Sequence, residues 1–123
     1  MMRWSAPYRN RDDGPLTRIG MAEGVIVVAM SFGRAGEQVS THRHAFWHKL
    51  KNRIGRTLVV SEDMPDGVEL GPGDEFIVPA FTNHGLMCLE APAEVACEHA
   101  FDASTPPEEW LQKLCALEVP HVP

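Results

Sequence analysis

The sequence predicts an all-β fold, a sandwich or barrel of short strands, followed by one C-terminal helix. Two observations favour this class. From residue 21 to about residue 103, short β-prone runs alternate with turns rich in glycine, proline and asparagine, a pattern typical of sandwiches and barrels. Beyond them, apolar residues recur at helical spacing. The 123 residues, 44% of them hydrophobic, are enough for one domain with a single core.

The first 20 residues show no clear period and contain Pro7, Gly14 and Pro15, so we interpret residues 1–20 as an extended arm. Such arms often pair with a sheet edge or with a second subunit. We assign residues 21–103 to the barrel and residues 104–123 to the helix and tail.

The barrel segment contains a series of predicted strands separated by turn signals. The predicted strands are 25–32, 39–44, 48–51, 56–60, 68–70, 75–78, 84–89 and 94–101. The predicted turns are 33–36, 52–55, 65–67, 71–74 and 91–92.

The tail carries a helix-start signature. Thr105, Pro106 and Glu108 fit an N-cap, a proline at the first helical position and the glutamate of a capping box. Apolar side chains then follow at helical spacing, which predicts a helix over 106–117 whose stripe packs on the barrel. The stripe consists of Trp110, Leu111, Leu114, Cys115 and Leu117.

Charge and cysteine content narrow the class of function. The formal charge of −6 favours neither nucleic acid nor an anionic membrane as a partner. The three cysteines are odd in number and include no C-x-x-C pair, which favours a reducing cytoplasm. The polar first residues lack the apolar stretch of a signal peptide, and the apolar run 25–30 is too short to span a bilayer.

Four histidines supply the main functional signal. His42 and His44 are separated by one residue, so on a strand their side chains share a face. Two imidazoles at that spacing can hold a divalent transition metal if neighbouring strands supply further ligands. His48 and His84 are the candidates for those positions.

The segment 36–88 resembles the two motifs of the cupin family. In the first motif Gly36, His42, His44 and Gly55 keep the family spacing, and His48 stands where cupins usually have glutamate.

In the second motif Gly73, Pro79 and His84 keep the spacing, whereas Phe81 replaces a glycine and Cys88 an asparagine. The resemblance implies a cupin-type double-stranded β-helix, or jelly-roll barrel. It also implies that His42, His44 and His84 are metal ligands.

The role of His48 stays open at this point. As a fourth ligand it would leave the charge of the metal uncompensated, because a neutral imidazole replaces a carboxylate, and this would favour an anionic ligand. Alternatively, His48 stays outside the coordination shell and leaves a face of three histidines. Fe(II) is the expected metal, with zinc, nickel, manganese and copper as alternatives.

Four further residues are candidates for the pocket. Phe46 follows the first histidine pair, Phe81 would narrow the entrance beside His84, and Cys88 shares strand parity with His84. His99 lies on a later strand and is expected at the pocket edge or in a structural role.

Three functions agree with these features. The leading hypothesis is an oxygenase-like metal enzyme acting on a small organic molecule. A redox-neutral metal-dependent lyase or isomerase is the second, although no internal carboxylate stands out as its general base. The third is a non-enzymatic module that binds a small molecule. Pairing through sheet edges is common in cupins, so we also expect a homodimer.

Overall fold

The computed structural model describes residues 2–9, 11–44, 46–100, 106, 109 and 119–120. These residues form nine strands joined in antiparallel pairs. The strands are β1 (Arg3–Trp4), β2 (Leu16–Ala22), β3 (Val25–Phe32), β4 (Gln38–Arg43), β5 (His48–Ser61), β6 (Met64–Leu70), β7 (Glu75–Val78), β8 (His84–Ala100) and β9 (Val119–Pro120). None of the described residues forms a helix with the length and apolarity needed to cross a bilayer.

Two long strands, β5 and β8, organise the sheet. They pair with each other along almost their whole length, and register shifts interrupt the ladder between Asn52 and Thr57. On its outer edge β8 pairs first with β4 and later with β3, whereas β5 pairs first with β7 and then with β6. Bulges of this kind bend a strand, so the two halves of β5 and β8 contribute to two different layers.

The space between the layers is filled by one apolar cluster. Its buried members come from both halves of the long strands and from β3, β6 and β7, and include Met30, Phe32, Leu50, Val59, Leu70, Val78, Leu86, Cys88 and Val95. Alternate residues of a strand face the same side, which explains why Val59 and Leu86 point inward while Val60 is exposed. This packing agrees with the predicted all-β fold, and a second, smaller cluster lies around Ile26.

Two predicted turns are wrong, because each lies inside a continuous strand. Residues 52–55 belong to β5, and residues 91–92 belong to β8. The turn-forming residues mark the bend between layers instead of a chain reversal. The fully buried Asn52 side chain donates to the carbonyl of Gly55 (2.9 Å) and accepts a hydrogen bond from the Thr57 hydroxyl (2.7 Å). Asn52 therefore satisfies polar groups that the interrupted ladder would leave unpaired.

A third predicted turn, 65–67, also lies inside a strand, β6. The chain reverses earlier, at residues 62–63, where Ser61 pairs with Met64. The hydroxyl of Ser61 accepts a hydrogen bond from the backbone N–H of Asp63 (3.2 Å), which closes that turn.

Gly55 occupies the tightest point of the bend. It has a φ of 69°, in the left-handed region that favours glycine. A Cβ atom there would lie 2.4 Å from the carbonyl oxygen of Pro92 and 2.6 Å from that of Glu90. Both neighbours are backbone atoms of β8, so they cannot move without changing the strand.

Gly55→Ala is expected to destabilise the protein by about 3 kcal/mol, because backbone strain and overlap with β8 add together. Denaturant unfolding measures this loss. Gly73→Ala is the matched control, since Gly73 also has a positive φ (88°) but nothing within 4 Å of its Cβ position. The control should cost only about 1 kcal/mol. Equal losses in the two variants would mean that the close approach to β8 contributes nothing.

The predicted arm pairs with the sheet of its own chain. The N–H of Ser5 donates to the carbonyl of Ile19 (2.8 Å), and Tyr8 and Thr17 exchange two backbone hydrogen bonds (2.7 and 2.8 Å). The last part of the 1–20 segment is itself strand β2, which pairs with β3 over its full length. The arm therefore extends the sheet by β1 and β2.

The predicted C-terminal helix over 106–117 lies outside the described residues, apart from Pro106 and Glu109. The N–H of Glu109 donates to the carbonyl of Pro106 (3.0 Å). Further along, β9 pairs with β4 beside His42 and Arg43.

Candidate metal centre

The bend of the long strands brings several histidines to one end of the barrel. His48 begins β5, His84 begins β8 and His99 is the penultimate residue of β8. His42, near the end of β4, is the Cα partner of His84. His44 follows β4 directly. Because both long strands fold back on themselves, residues far apart in sequence meet in one cluster.

Three of these histidines are arranged to share one metal ion. The ligand nitrogens of His42, His44 and His84 all lie within 4.8 Å of one another. Their ring centroids are 4.7 Å apart for His42 and His44, and 4.6 Å apart for His42 and His84. The cupin-like motifs imply the same three ligands.

Backbone carbonyls orient two of the rings. The Nδ1 atom of His42 lies 2.6 Å from the carbonyl oxygen of Ser40, and Nδ1 of His84 lies 2.9 Å from that of Thr82. Because a carbonyl only accepts, each Nδ1 carries the proton, and each Nε2 keeps a lone pair for a metal. Metal-binding histidines in proteins commonly donate their second N–H in this way.

His48 and His99 extend the cluster. The His48 ring lies 4.9 Å from the His84 ring, 5.2 Å from the His44 ring and 4.7 Å from the His99 ring. Both side chains are buried, with 1% and 2% of their surface exposed, and the Nδ1 atoms of both have no hydrogen-bond partner among the described residues. Buried polar atoms are normally paired. A metal or a bound ligand would supply partners here, so the donors present fit a metal ion.

Burial keeps four imidazoles of the cluster neutral. Desolvation, followed by repulsion from neighbouring histidines, lowers the pKa of His44 to about 3 and that of His48 to about 2. Burial likewise lowers the pKa of His84 to about 4 and that of His99 to about 4. Metals bind the neutral form of imidazole. These four histidines are therefore in the metal-binding form at neutral pH.

A cavity of about 360 Å³ opens onto the cluster. All five histidines line it together with apolar side chains such as Val28, Met30 and Leu86. No aspartate or glutamate is among the described residues that line it. The size is at the lower end of the range for small-molecule sites.

Of the four predicted pocket residues, His99 lines the cavity and the other three do not. Phe46 packs against Ile26, and Cys88 is buried in the apolar core. Phe81 is 59% exposed and is not among the residues that line the cavity. Its backbone has a φ of 60°, the left-handed conformation that suits the glycine of the cupin motif, and its N–H donates to the carbonyl of His44 (2.7 Å). This conformation turns the Phe81 side chain toward solvent.

Sequence reasoning missed most of the other lining residues, among them Cys97, Tyr8 and Arg11. Cys97 lies two residues before His99 on β8, so strand alternation was the signal that could have found it. Burial raises the pKa of its thiol to about 12, which keeps it protonated. Tyr8 and Arg11 come from the arm, and no pattern in the sequence indicates that this segment folds over the cavity.

No protein-family model matches the chain, and no curated protein matches its sequence significantly. Solved structures do match its fold. KdgF from Halomonas sp. is 23% identical with a TM-score of 0.66, covering 78% of this chain and 87% of its own. An RmlC-like cupin from Methanocaldococcus jannaschii with a double-stranded β-helix fold is 18% identical with a TM-score of 0.63, covering 88% and 95%.

A third similar structure is much longer than this chain. It is the oxalate decarboxylase of Bacillus subtilis, described with Mn(II) centres, which is 21% identical with a TM-score of 0.64. The match covers 83% of this chain but only 29% of the decarboxylase. Several of the matching structures are described as cupins or RmlC-like cupins, and they confirm the double-stranded β-helix that the two motifs predict.

Proposed function

We propose that this chain, which has the cupin fold, is a metal-dependent enzyme with oxygenase-like chemistry on a small organic molecule. The observation that carries the proposal is the convergence of His42, His44 and His84 in the wall of a largely apolar cavity. A ferrous ion, when bound, supplies open coordination positions and one-electron chemistry with dioxygen.

The chain itself contributes orientation and exclusion of water. The carbonyls of Ser40 and Thr82 hold two ligand rings in a fixed tautomer. The apolar wall formed by Val28, Met30 and Leu86 keeps the bound substrate in a dry environment, where charge interactions are stronger. Neutral histidines favour a substrate that brings negative charge to the metal.

Among the described residues that line the cavity there is no carboxylate, which favours this chemistry over a redox-neutral lyase or isomerase. Those reactions need a general base, and the described lining residues offer imidazole or tyrosine groups for that role. The Mn(II) centres of the similar oxalate decarboxylase support the redox-neutral alternative, which uses manganese, zinc or nickel as a Lewis acid. A non-enzymatic binding module is the third candidate.

Metal analysis by mass spectrometry, followed by oxygen-electrode measurements with catechols and 1,3-dicarbonyls, tests the proposal. About one iron per chain and substrate-dependent oxygen consumption would support an oxygenase. Zinc, nickel or manganese without oxygen consumption would favour the redox-neutral enzyme. Protein without metal would favour the binding module.

His48 is proposed as the fourth ligand. His48→Glu is expected to keep the metal, since glutamate occupies this motif position in cupins, whereas His48→Ala should weaken binding about 10-fold or more. Titration with Zn(II) against a chelating indicator measures both. Equal affinity in the wild type and His48→Ala would place His48 outside the coordination shell.

We also propose that the chain forms a homodimer and that it is located in the cytoplasm. Edge strand β7 exposes Ile77 (59%), and Trp47 is also exposed (53%), which supports pairing through this side of the sheet. Cys88 and Cys97 are free, buried thiols, as a reducing compartment favours. A monodisperse monomer in analytical ultracentrifugation would contradict the dimer.

A further inference from the structure

One permanent positive charge lies beside the cavity. Arg11, from the arm, is the sole lysine or arginine among the described residues that line it, and no acidic residue lines it. Arg11 is therefore the permanently charged side chain that the described part of the lining offers to a ligand. Its side chain is 55% exposed, so it lies toward the solvent side of the cavity.

Its neighbours hold the guanidinium in place without using all its donors. Nε and Nη2 of Arg11 donate to the two carboxylate oxygens of Asp13 (3.0 and 3.5 Å), and Nη1 donates to the hydroxyl of Ser40. A hydrogen bond from Gln38 and the charge of Arg11 lower the pKa of Asp13, so that partner stays ionised. A guanidinium has five N–H donors, which leaves two for a ligand.

Ser40 joins the guanidinium to the histidine cluster. Its hydroxyl accepts from Arg11, and its backbone carbonyl accepts from Nδ1 of His42. One residue therefore fixes the position of the cation relative to a metal-binding ring. A molecule that binds at the cluster and extends toward solvent meets Arg11.

We propose that Arg11 forms a carboxylate-binding subsite, so that the ligand is a small acid with a chelating head and a second carboxylate. The inference rests on the proposed function, because the chelating head needs the metal centre. Arginine suits this task, since its planar fork matches a carboxylate with paired hydrogen bonds. The ion pair with Asp13 is exposed and therefore weak in water, so it positions the guanidinium and leaves it able to bind a further anion.

Calorimetric titration of the Mn(II)-loaded protein tests the subsite with two probes that share one chelating head. 2-Oxoglutarate has a second carboxylate, and 2-oxobutanoate lacks it. The wild type is expected to bind 2-oxoglutarate at least about 10-fold more tightly. Arg11→Gln should remove this preference while leaving the affinity for 2-oxobutanoate and the metal content unchanged.

Two further variants separate a binding role from a structural one. Arg11→Lys should keep part of the preference, because the charge remains. Arg34→Gln, at an exposed arginine that does not line the cavity, should keep all of it.

Equal affinity of the wild type for both probes would overturn the subsite, and so would a preference that survives Arg11→Gln. An equal loss for both probes in Arg11→Gln would also overturn it. Failure of the wild type to bind Mn(II) would instead contradict the proposed metal enzyme.

Discussion

His84→Ala is expected to weaken metal binding by at least about 100-fold. His84 is one of three histidines whose ligand nitrogens lie within 4.8 Å of one another, so its loss leaves two donors from that group. Changes to residues that merely orient a metal ligand already cost 10–100-fold in affinity, and removal of a ligand itself should cost more. Competition for Zn(II) with a chelating indicator measures the change.

Thermal unfolding provides a second measurement of the same effect. A metal that binds the native state alone raises its stability, so Zn(II) should shift the unfolding temperature of the wild type and not that of His84→Ala. His99→Gln is the matched control, since His99 is equally buried in the cluster but lies outside the close group of three. A control variant that loses as much affinity as His84→Ala would contradict the assignment of ligands.

The sequence predicted that His42, His44 and His84 lie together, because their positions depend on short-range rules. His42 and His44 share a face through strand alternation, and His84 follows from the second motif. The same rules found β3 and β7 with the bounds that the structure shows. The local sequence pattern was sufficient for prediction wherever the packing of a single strand decides which of its side chains face the core.

What the sequence did not predict depends on long-range bending. Residues 52–55 and 91–92 carry turn-forming residues, and single-sequence reasoning cannot distinguish a chain reversal from a bulge inside a strand. His48 and His99 lie opposite each other at one end of the β5–β8 ladder, and His84 lies at the other end. The bend at Gly55 folds β5 and β8 over, and this brings His84 to His48. Arg11 and Tyr8 reach the cavity from an arm whose sequence shows no periodicity. Their position at the cavity could therefore not be predicted either.

The metal-free protein is expected to lose stability steeply as the pH falls below about 6.5. Burial lowers the pKa of His84 and His99 to about 4, that of His44 to about 3 and that of His48 to about 2. Between these values and the unfolded value of 6.5, the unfolded chain binds protons that the native state excludes. Protons therefore favour unfolding, and the stability is complete only above pH 6.5.

The size of the expected loss of stability follows from the number of buried histidines. Each histidine contributes up to about 1.4 kcal/mol per pH unit within its own window. The windows of all four overlap between pH 6.5 and about 4, and domains of this size are stable by roughly 5–15 kcal/mol. Acid unfolding is therefore expected within that interval. Circular dichroism during a pH titration of chelator-treated protein measures the midpoint.

Bound metal and the His99→Gln substitution should each change how the protein unfolds in acid. Saturating Zn(II) competes with protons for the neutral imidazoles, so the midpoint should shift to lower pH. In His99→Gln one of the four groups is gone, and the slope of stability against pH should fall by about a quarter. A metal-free protein that keeps its full stability at pH 4 would show that the buried histidines accept protons in the native state. Such native protonation would require the cluster to open to water, because four buried imidazoles packed at one end of the barrel cannot share positive charge without solvent or anions between them.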